Sequence, residues 1–213
     1  LAQAKEHHYN LLKNTHIKVY KEKFDRVELN LGKQDNITPT DERLIRFQAD
    51  DDPAFAALYF QYGRYLMICG TREANLPLNL QGLWANQVQT PWNGDYHLNI
   101  NLQMNYWPAE VTNLAECHHS LFDFMEGLAV NGAITAKTNY GIQSGWLASH
   151  NADIWAKTSP AGGEDWDPRG LPRWSCWPMG GAWFCQHLWE HYLHNGDITY
   201  LSEKAWPLMQ GSA

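Results

Sequence analysis

The densest run of uncharged hydrogen-bonding side chains in the sequence is Trp92-Asn93-Gly94-Asp95-Tyr96-His97-Leu98-Asn99-Ile100-Asn101, which continues through Gln103 and Asn105 to Trp107-Pro108-Ala109-Glu110. Amides and imidazoles donate and accept in fixed directions, so such a strip suits an ordered water or a neutral, hydroxyl-bearing ligand. Asn99 and Asn101 are two apart. In extended backbone they share a face, whereas on a helix they diverge by about 200°. The spacing therefore predicts an extended strip entering a helix near Leu102, with His97, Asn99 and Asn101 along one side and Leu98 and Ile100 packed behind. Asn runs also cap helices and fill turns, so this segment does not carry the reading by itself.

Composition narrows the ligand class. The chain holds 11 Trp, 10 Tyr and 10 His with only 18% charged residues. A Trp ring offers a flat apolar face that fits the C–H faces of a sugar, while Asn and His address its hydroxyls. The net charge of -7 opposes a phosphate backbone and an anionic membrane surface, which excludes nucleic acid as a partner. The longest apolar runs, such as Leu66-Met67-Ile68-Cys69, are far too short to insert across a bilayer. Cys69, Cys117, Cys176 and Cys185 stand far apart and are expected to be buried free thiols. The triplet Asn36-Ile37-Thr38 is a possible glycosylation sequon.

The elements that would position the polar strip are helical. Residues 1–16 look helical, and Phe24 to Leu31 alternates Val27, Leu29 and Leu31 as a short extended segment does. A short helix is expected after Thr38-Pro39-Thr40-Asp41-Glu42. From Pro53 to Cys69 the residues Phe55, Leu58, Tyr59, Tyr62, Tyr65, Leu66 and Cys69 recur on one helical face. Further helices are expected over 102–111, 117–140, 179–194 and 199–209, with long irregular loops over 71–95 and 144–178. No strand-rich block and no internal repeat is legible. The pattern predicts an all-α fold with a short extended linker segment near the N-terminus and long loops gathered at one end to build a site. Residues 1–35 read as a linker region and 36–213 as one helical domain.

Around the polar strip lie Asn79-Leu80-Gln81-Gly82-Leu83-Trp84, Gly145-Trp146, His150-Asn151-Ala152-Asp153-Ile154-Trp155 and Trp174-Ser175-Cys176-Trp177-Pro178-Met179-Gly180-Gly181-Ala182-Trp183. With Pro39-Thr40-Asp41-Glu42-Arg43-Leu44, Tyr59-Phe60-Gln61-Tyr62-Gly63-Arg64-Tyr65 and His187-Leu188-Trp189-Glu190-His191-Tyr192, these segments resemble glycoside hydrolase family 95, the inverting α-L-fucosidases and their relatives that act on α-L-galactosides. The resemblance implies that 36–213 is the first half, incomplete, of an (α/α)6 toroid catalytic domain. It assigns Asn99 and Asn101 to the attacking water and His97 to recognition of the sugar's C5 substituent. It also makes His150, Trp155, Trp177 and Trp183 candidate substrate-binding residues, although each Trp could equally be core. The implied partner is a fucosylated oligosaccharide or glycan, and the implied location secreted or periplasmic. No cofactor is implied.

In such an inverting scheme a carboxylic acid protonates the leaving oxygen while a carboxylate partner activates a water on the opposite face. The resemblance places both carboxylates beyond Ala213, so the chain is expected to be inactive alone and to need the missing remainder of its own catalytic domain. A non-catalytic sugar-binding helical module is the alternative from another class, and an α-L-galactosidase the alternative within the family. His187-Leu188-Trp189-Glu190-His191 also fits H-x-x-E-H, an inverted zinc-protease signature. Its aromatic surroundings favour bonds to neighbouring helices instead, and no metal site is expected.

Overall fold

A computed structural model describes residues 8–33, 37–49, 51–71, 76–82, 85–161 and 177–212. Asn36, Leu83, Trp84, Trp174 and Cys176 lie outside the described residues. The chain divides into two compact units, residues 1–69 and 70–213.

In the first unit, α1 is Tyr9–Phe24, α2 is Thr40–Arg46, and α3 is Pro53–Gly70, whose last residue falls in the second unit. Helix α1 continues eight residues past the expected stop at 16. Tyr20 stacks on Phe24 and meets the edge of Tyr65, at ring separations of 5.0 and 5.8 Å, and these contacts favour helix over 17–24. The segment expected to be extended forms a turn at 25–26 and then irregular chain rather than a strand. Arg64, almost fully buried, donates to the Phe24 and Lys23 carbonyls at 2.8 and 2.9 Å, which satisfies acceptors that the end of α1 leaves open. Gln61 donates to the Val27 carbonyl at 2.7 Å. Arg43 grips Asp52 through two parallel bonds of 2.9 and 3.0 Å, and Asp52 in turn accepts from the Phe55 N–H at the start of α3. The polar residues of the Asp41 to Leu44 and Tyr59 to Tyr65 segments thus hold this unit together.

The second unit contains a two-stranded ribbon and the longer helices. β1 is Tyr96–His97 and β2 is Asn151–Ala152, antiparallel, with Tyr96 opposite Ala152 and His97 opposite Asn151. Helices α4 (Asn101–Tyr106) and α5 (Pro108–Val111) replace the single helix expected over 102–111. Pro108 explains the break, since it lacks an N–H and begins the second helix at its first position. A 3₁₀ turn over Ala115–His118 leads into α6 (His119–Tyr140). Then follow α7 (Gly180–Asn195), α8 (Ile198–Tyr200), a π turn over Leu201–Ala205 and α9 (Trp206–Ser212). The structure is mostly helical with little strand, as the sequence predicts.

One core joins these elements. Leu98, Leu102, Tyr106, Leu121, Met125, Leu128, Phe184 and Leu188 are all fully buried within it, and each large apolar side chain removed from water contributes about 1.5–3 kcal/mol. Gly180 and Gly181 let α7 start against the ribbon. A Cβ on Gly180 would lie 2.8 Å from the Ser149 carbonyl oxygen, and one on Gly181 would lie 2.6 Å from the Trp146 ring. The Gly180 N–H donates to the Ala148 carbonyl at 3.0 Å, so the start of the helix is joined through backbone to the segment that leads into β2. Among the described residues Cys69, Cys117 and Cys185 are free thiols; Cys117 and Cys185 are buried, whereas Cys69 is only partly so. No helix of the described residues is long and apolar enough to cross a membrane.

Candidate active site

The polar strip is not extended over its whole length. β1 ends at His97, Leu98 to Ile100 form a turn, and α4 begins at Asn101. Two bonds explain the early turn. The Leu98 N–H continues the ribbon by donating to the His150 carbonyl at 2.6 Å, and the Leu98 carbonyl accepts from the buried Gln103 side chain at 2.6 Å. Gln103 therefore pulls the chain back on itself one residue sooner than the spacing predicts. Leu98 is fully buried as expected, but Ile100 is 39% exposed and is not packed behind the strip. Asn99 stands exposed in the turn, and Asn101 is half-buried as the first residue of α4. The two amides thus stand in the turn and on the first helical residue after it rather than share a strand face.

His97 lies at the centre of a polar cluster. Its Nδ1 is 2.7 Å from Asp95 Oδ1. Asp95 Oδ2 accepts from Asn151 Nδ2 at 3.2 Å. The edge of Trp92 approaches the His97 ring at 6.1 Å and His150 at 6.2 Å, both nearly perpendicular. Trp92 reaches this place because it and Asn93 adopt left-handed backbone, with φ of 53° and 56°, a conformation costly for residues with a Cβ. Asn79 Nδ2 donates to the Gly94 carbonyl at 2.6 Å and helps hold that turn. The ribbon thus brings His97 and His150 together, along with Asp95 and Asn151, which sequence reasoning missed as site residues. The signal available for Asp95 was its place two residues before His97, a spacing that shares a face wherever the backbone is extended, but the position read as the end of the loop over 71–95.

The candidate Trp residues are dispersed. Trp177 and Trp183 meet edge to face at 6.3 Å beside the start of α7, next to the Ala148–Met179 bridge. Trp155 lies on the turn after β2 and is 78% exposed, so it is not core. Its carbonyl accepts from Asn131 of α6 at 3.0 Å, as does that of Ala156, which anchors the turn while leaving the ring in solvent.

A second polar cluster is sealed inside the helices. Glu110 Oε1 accepts from His118 Nδ1 at 2.8 Å and from His191 Nδ1 at 2.6 Å. Its carboxylate can only accept, so both imidazoles carry their proton on Nδ1, and His118 Nε2 is left to accept from His187 Nδ1 at 2.9 Å. Burial pushes the Glu110 carboxyl up, but the bonds from His118 and His191 outweigh it and hold the group at about 2. Burial lowers His118 against the pull of Glu110, and it lowers His187 to about 3. Phe122 and Tyr200 pack against His191 with ring separations of 5.0 and 4.8 Å.

Glu110, His118 and His191 are a set that could ligate a metal, with ligand atoms within 4.8 Å of one another. The geometry is that of hydrogen bonds instead. A tetrahedral zinc with ligands at about 2.0–2.1 Å sets neighbouring ligand atoms roughly 3.3 Å apart, well beyond the 2.6 and 2.8 Å found here. Glu190 of the H-x-x-E-H segment is exposed and 3.9 Å from His194, away from this cluster. His187 and His191 bond to groups outside their own helix, as expected.

A mostly helical chain that turns a strip of amides and imidazoles towards its surface has the makings of a site for a neutral polar ligand, and its relatives give that class a definite form. The profile described as the Glycosyl hydrolase family 95 catalytic domain matches residues 8–213, and the chain belongs to that family. It is 46% identical over 217 residues to "Alpha-L-fucosidase 2" of Arabidopsis thaliana, covering 99% of this chain and 25% of that protein. It is 35% identical over 210 residues to "Probable alpha-fucosidase A" of Aspergillus niger, covering 96% of this chain and 25% of the other. A protein of the same name in Aspergillus oryzae is 44% identical over 112 residues, 52% of this chain and 15% of its own length. The chain thus spans about a quarter of the length of the first two relatives.

Proposed function

We propose that the complete protein to which this chain belongs is a secreted or periplasmic glycoside hydrolase that removes terminal α-L-fucose, α-1,2-linked among the candidate linkages, from oligosaccharides or glycans with inversion at the anomeric carbon. The observation that carries the reading is the placement of Asn99 in an exposed turn directly after His97 and of Asn101 on the first helical residue beyond it, in a chain that belongs to family 95. Asn99 and Asn101 hold the attacking water. An amide is a poor base, so a carboxylate elsewhere in the complete protein draws the proton through the shared hydrogen bonds, and a second carboxyl protonates the leaving oxygen from the opposite face. His97 reads the sugar's C5 substituent, with His150 and the aromatic rings of Trp155, Trp177 and Trp183 as candidate substrate contacts. The family resemblance supplies the expectation of an (α/α)6 toroid, completed by chain other than these residues.

The complete protein should hydrolyse p-nitrophenyl α-L-fucoside and release β-L-fucose first, seen by proton NMR before mutarotation. Side-by-side hydrolysis of the α-L-galactoside should be clearly slower. Preference for the galactoside would overturn the assignment of His97, retention of configuration would remove the water-positioning role, and sugar binding without turnover would leave a binding module.

A further inference from the structure

The ribbon sets beside His97 a carboxylate to which the roles above give no task. Asp95 Oδ1 and His97 Nδ1 lie 2.7 Å apart, with both side chains mostly buried at 19% and 16% exposure. Both atoms are buried, and neither has another hydrogen-bond partner among the described residues. The contact has the length of a hydrogen bond without its full alignment, which a small rotation of the imidazole supplies. Asp95 is itself tethered through Oδ2 to Asn151, the residue paired with His97 across the ribbon. Carboxylate, imidazole and amide therefore form a closed set on two adjacent strands. Trp92 and His150 limit how far the His97 ring can turn. An ionised carboxylate only accepts, so the proton facing it belongs on Nδ1 and leaves Nε2 as the nitrogen turned to a ligand.

We propose that Asp95, held by Asn151, is a positioning residue that fixes both the tautomer and the orientation of His97, so that Nε2 accepts from a hydroxyl on the sugar ring itself while the imidazole's carbon edge faces the C5 methyl. The inference rests on the reading of His97 as a recognition residue. It assigns Asp95 a purpose other than acid or base, since it acts on substrate only through the imidazole.

The test is a double-mutant cycle in the complete enzyme, with Asp95→Asn, His97→Ala and the pair, reading kcat and KM on p-nitrophenyl α-L-fucoside. Asp95→Asn should raise KM roughly 10- to 100-fold, as expected for losing a hydrogen bond to a charged group, with a smaller change in kcat. In the His97→Ala background the same substitution should cost less than about twofold, because the group it acts through is gone. An equal cost in both backgrounds, or an unchanged KM, would overturn the proposal. Should Asp95→Asn prevent folding, Asn151→Ala takes its place in the cycle. It should shift KM in the same direction and lose its effect without His97, and additivity there overturns the proposal equally. If the unaltered enzyme fails to hydrolyse the fucoside, the functional reading fails separately. Nitrogen-15 shifts of labelled histidine then decide, with His97 protonated on Nδ1 in the native protein and its tautomer altered by Asp95→Asn or Asn151→Ala; no difference overturns the proposal.

Discussion

Two histidine clusters in the second unit use the same chemical groups for opposite ends. Around Glu110, three imidazoles are closed in by helices, each proton has one destination, and aromatic rings cover the outside. Around His97, the carboxylate is mostly buried and bonded to a half-buried amide, while the turn that follows carries Asn99 in solvent. The first cluster spends its hydrogen-bonding capacity on itself. The second keeps some in reserve, and that reserve is what a ligand can use. Buried polar networks are costly when half satisfied, so a titratable cluster with idle donors and acceptors beside an exposed turn is a better guide to a site than a larger one bonded to itself among helices.

That contrast can be broken most decisively at the turn. Asn99→Leu or Asn101→Leu in the complete enzyme should lower kcat by about 10³-fold or more, within the range of a lost proton-transfer network, with ligand affinity and melting temperature nearly unchanged. Full activity in either variant would remove that residue from the water site. The sealed cluster should respond in reverse. Glu110→Ala strands two buried N–H donors and should destabilise the fold by about 2–5 kcal/mol in denaturant unfolding, while the folded fraction retains its kcat. A stable Glu110→Ala protein would show that the cluster is not the clasp its distances suggest.

Acid sharpens the same comparison. His187 is held neutral down to about 3, below its ordinary 6.5, so the unfolded chain binds the proton first and stability falls as pH drops below about 6.5. The Glu110 carboxyl is held at about 2, below its ordinary 4.5; its contribution is intact above that ordinary value and is lost as pH falls towards 2. Melting temperature should therefore decline in two stages on acidification, and His187→Phe should flatten the upper stage. Gly180→Ala should cost about 1–3 kcal/mol by forcing α7 off the Ser149 carbonyl. The smallest effect is expected at Trp155→Ala, within about 0.5 kcal/mol of wild-type stability, so a change in KM there reports ligand contact alone.

Much of this was legible in residue order, and what was not has an identifiable cause. The span of α3 and the lengths of α6 and α7 follow from three-and-four spacing, a local property; which face of α3 is buried does not, since Leu58, Tyr59, Tyr62, Tyr65 and Leu66 are exposed while Phe55, Ala57, Arg64, Met67 and Ile68 are buried. The break at Pro108 was equally available from the missing N–H. The turn at Asn99 was not, because it depends on Gln103 reaching the Leu98 carbonyl and on His150, far along the chain, accepting from the Leu98 N–H. The extension of α1 is of the same kind, resting on Tyr65 and Arg64. For the sealed cluster, His187 and His191 were recognised as a pair one turn apart, but nothing in their spacing pointed to Glu110 and His118.

The ribbon carries an evolutionary consequence. Connections between helices ordinarily tolerate insertions and deletions, yet residues 141–150 lead straight into a strand whose pairing sets Asn151 opposite His97. That stretch is also tied down partway, by the Trp146 N–H on the Gly211 carbonyl. Gaining or losing a single residue between Trp146 and Asn151 would bring a neighbour of Asn151 into its place and turn the amide to the other side of the ribbon. Homologues that keep this chemistry should accordingly vary in the letters of that connection but hold its length constant.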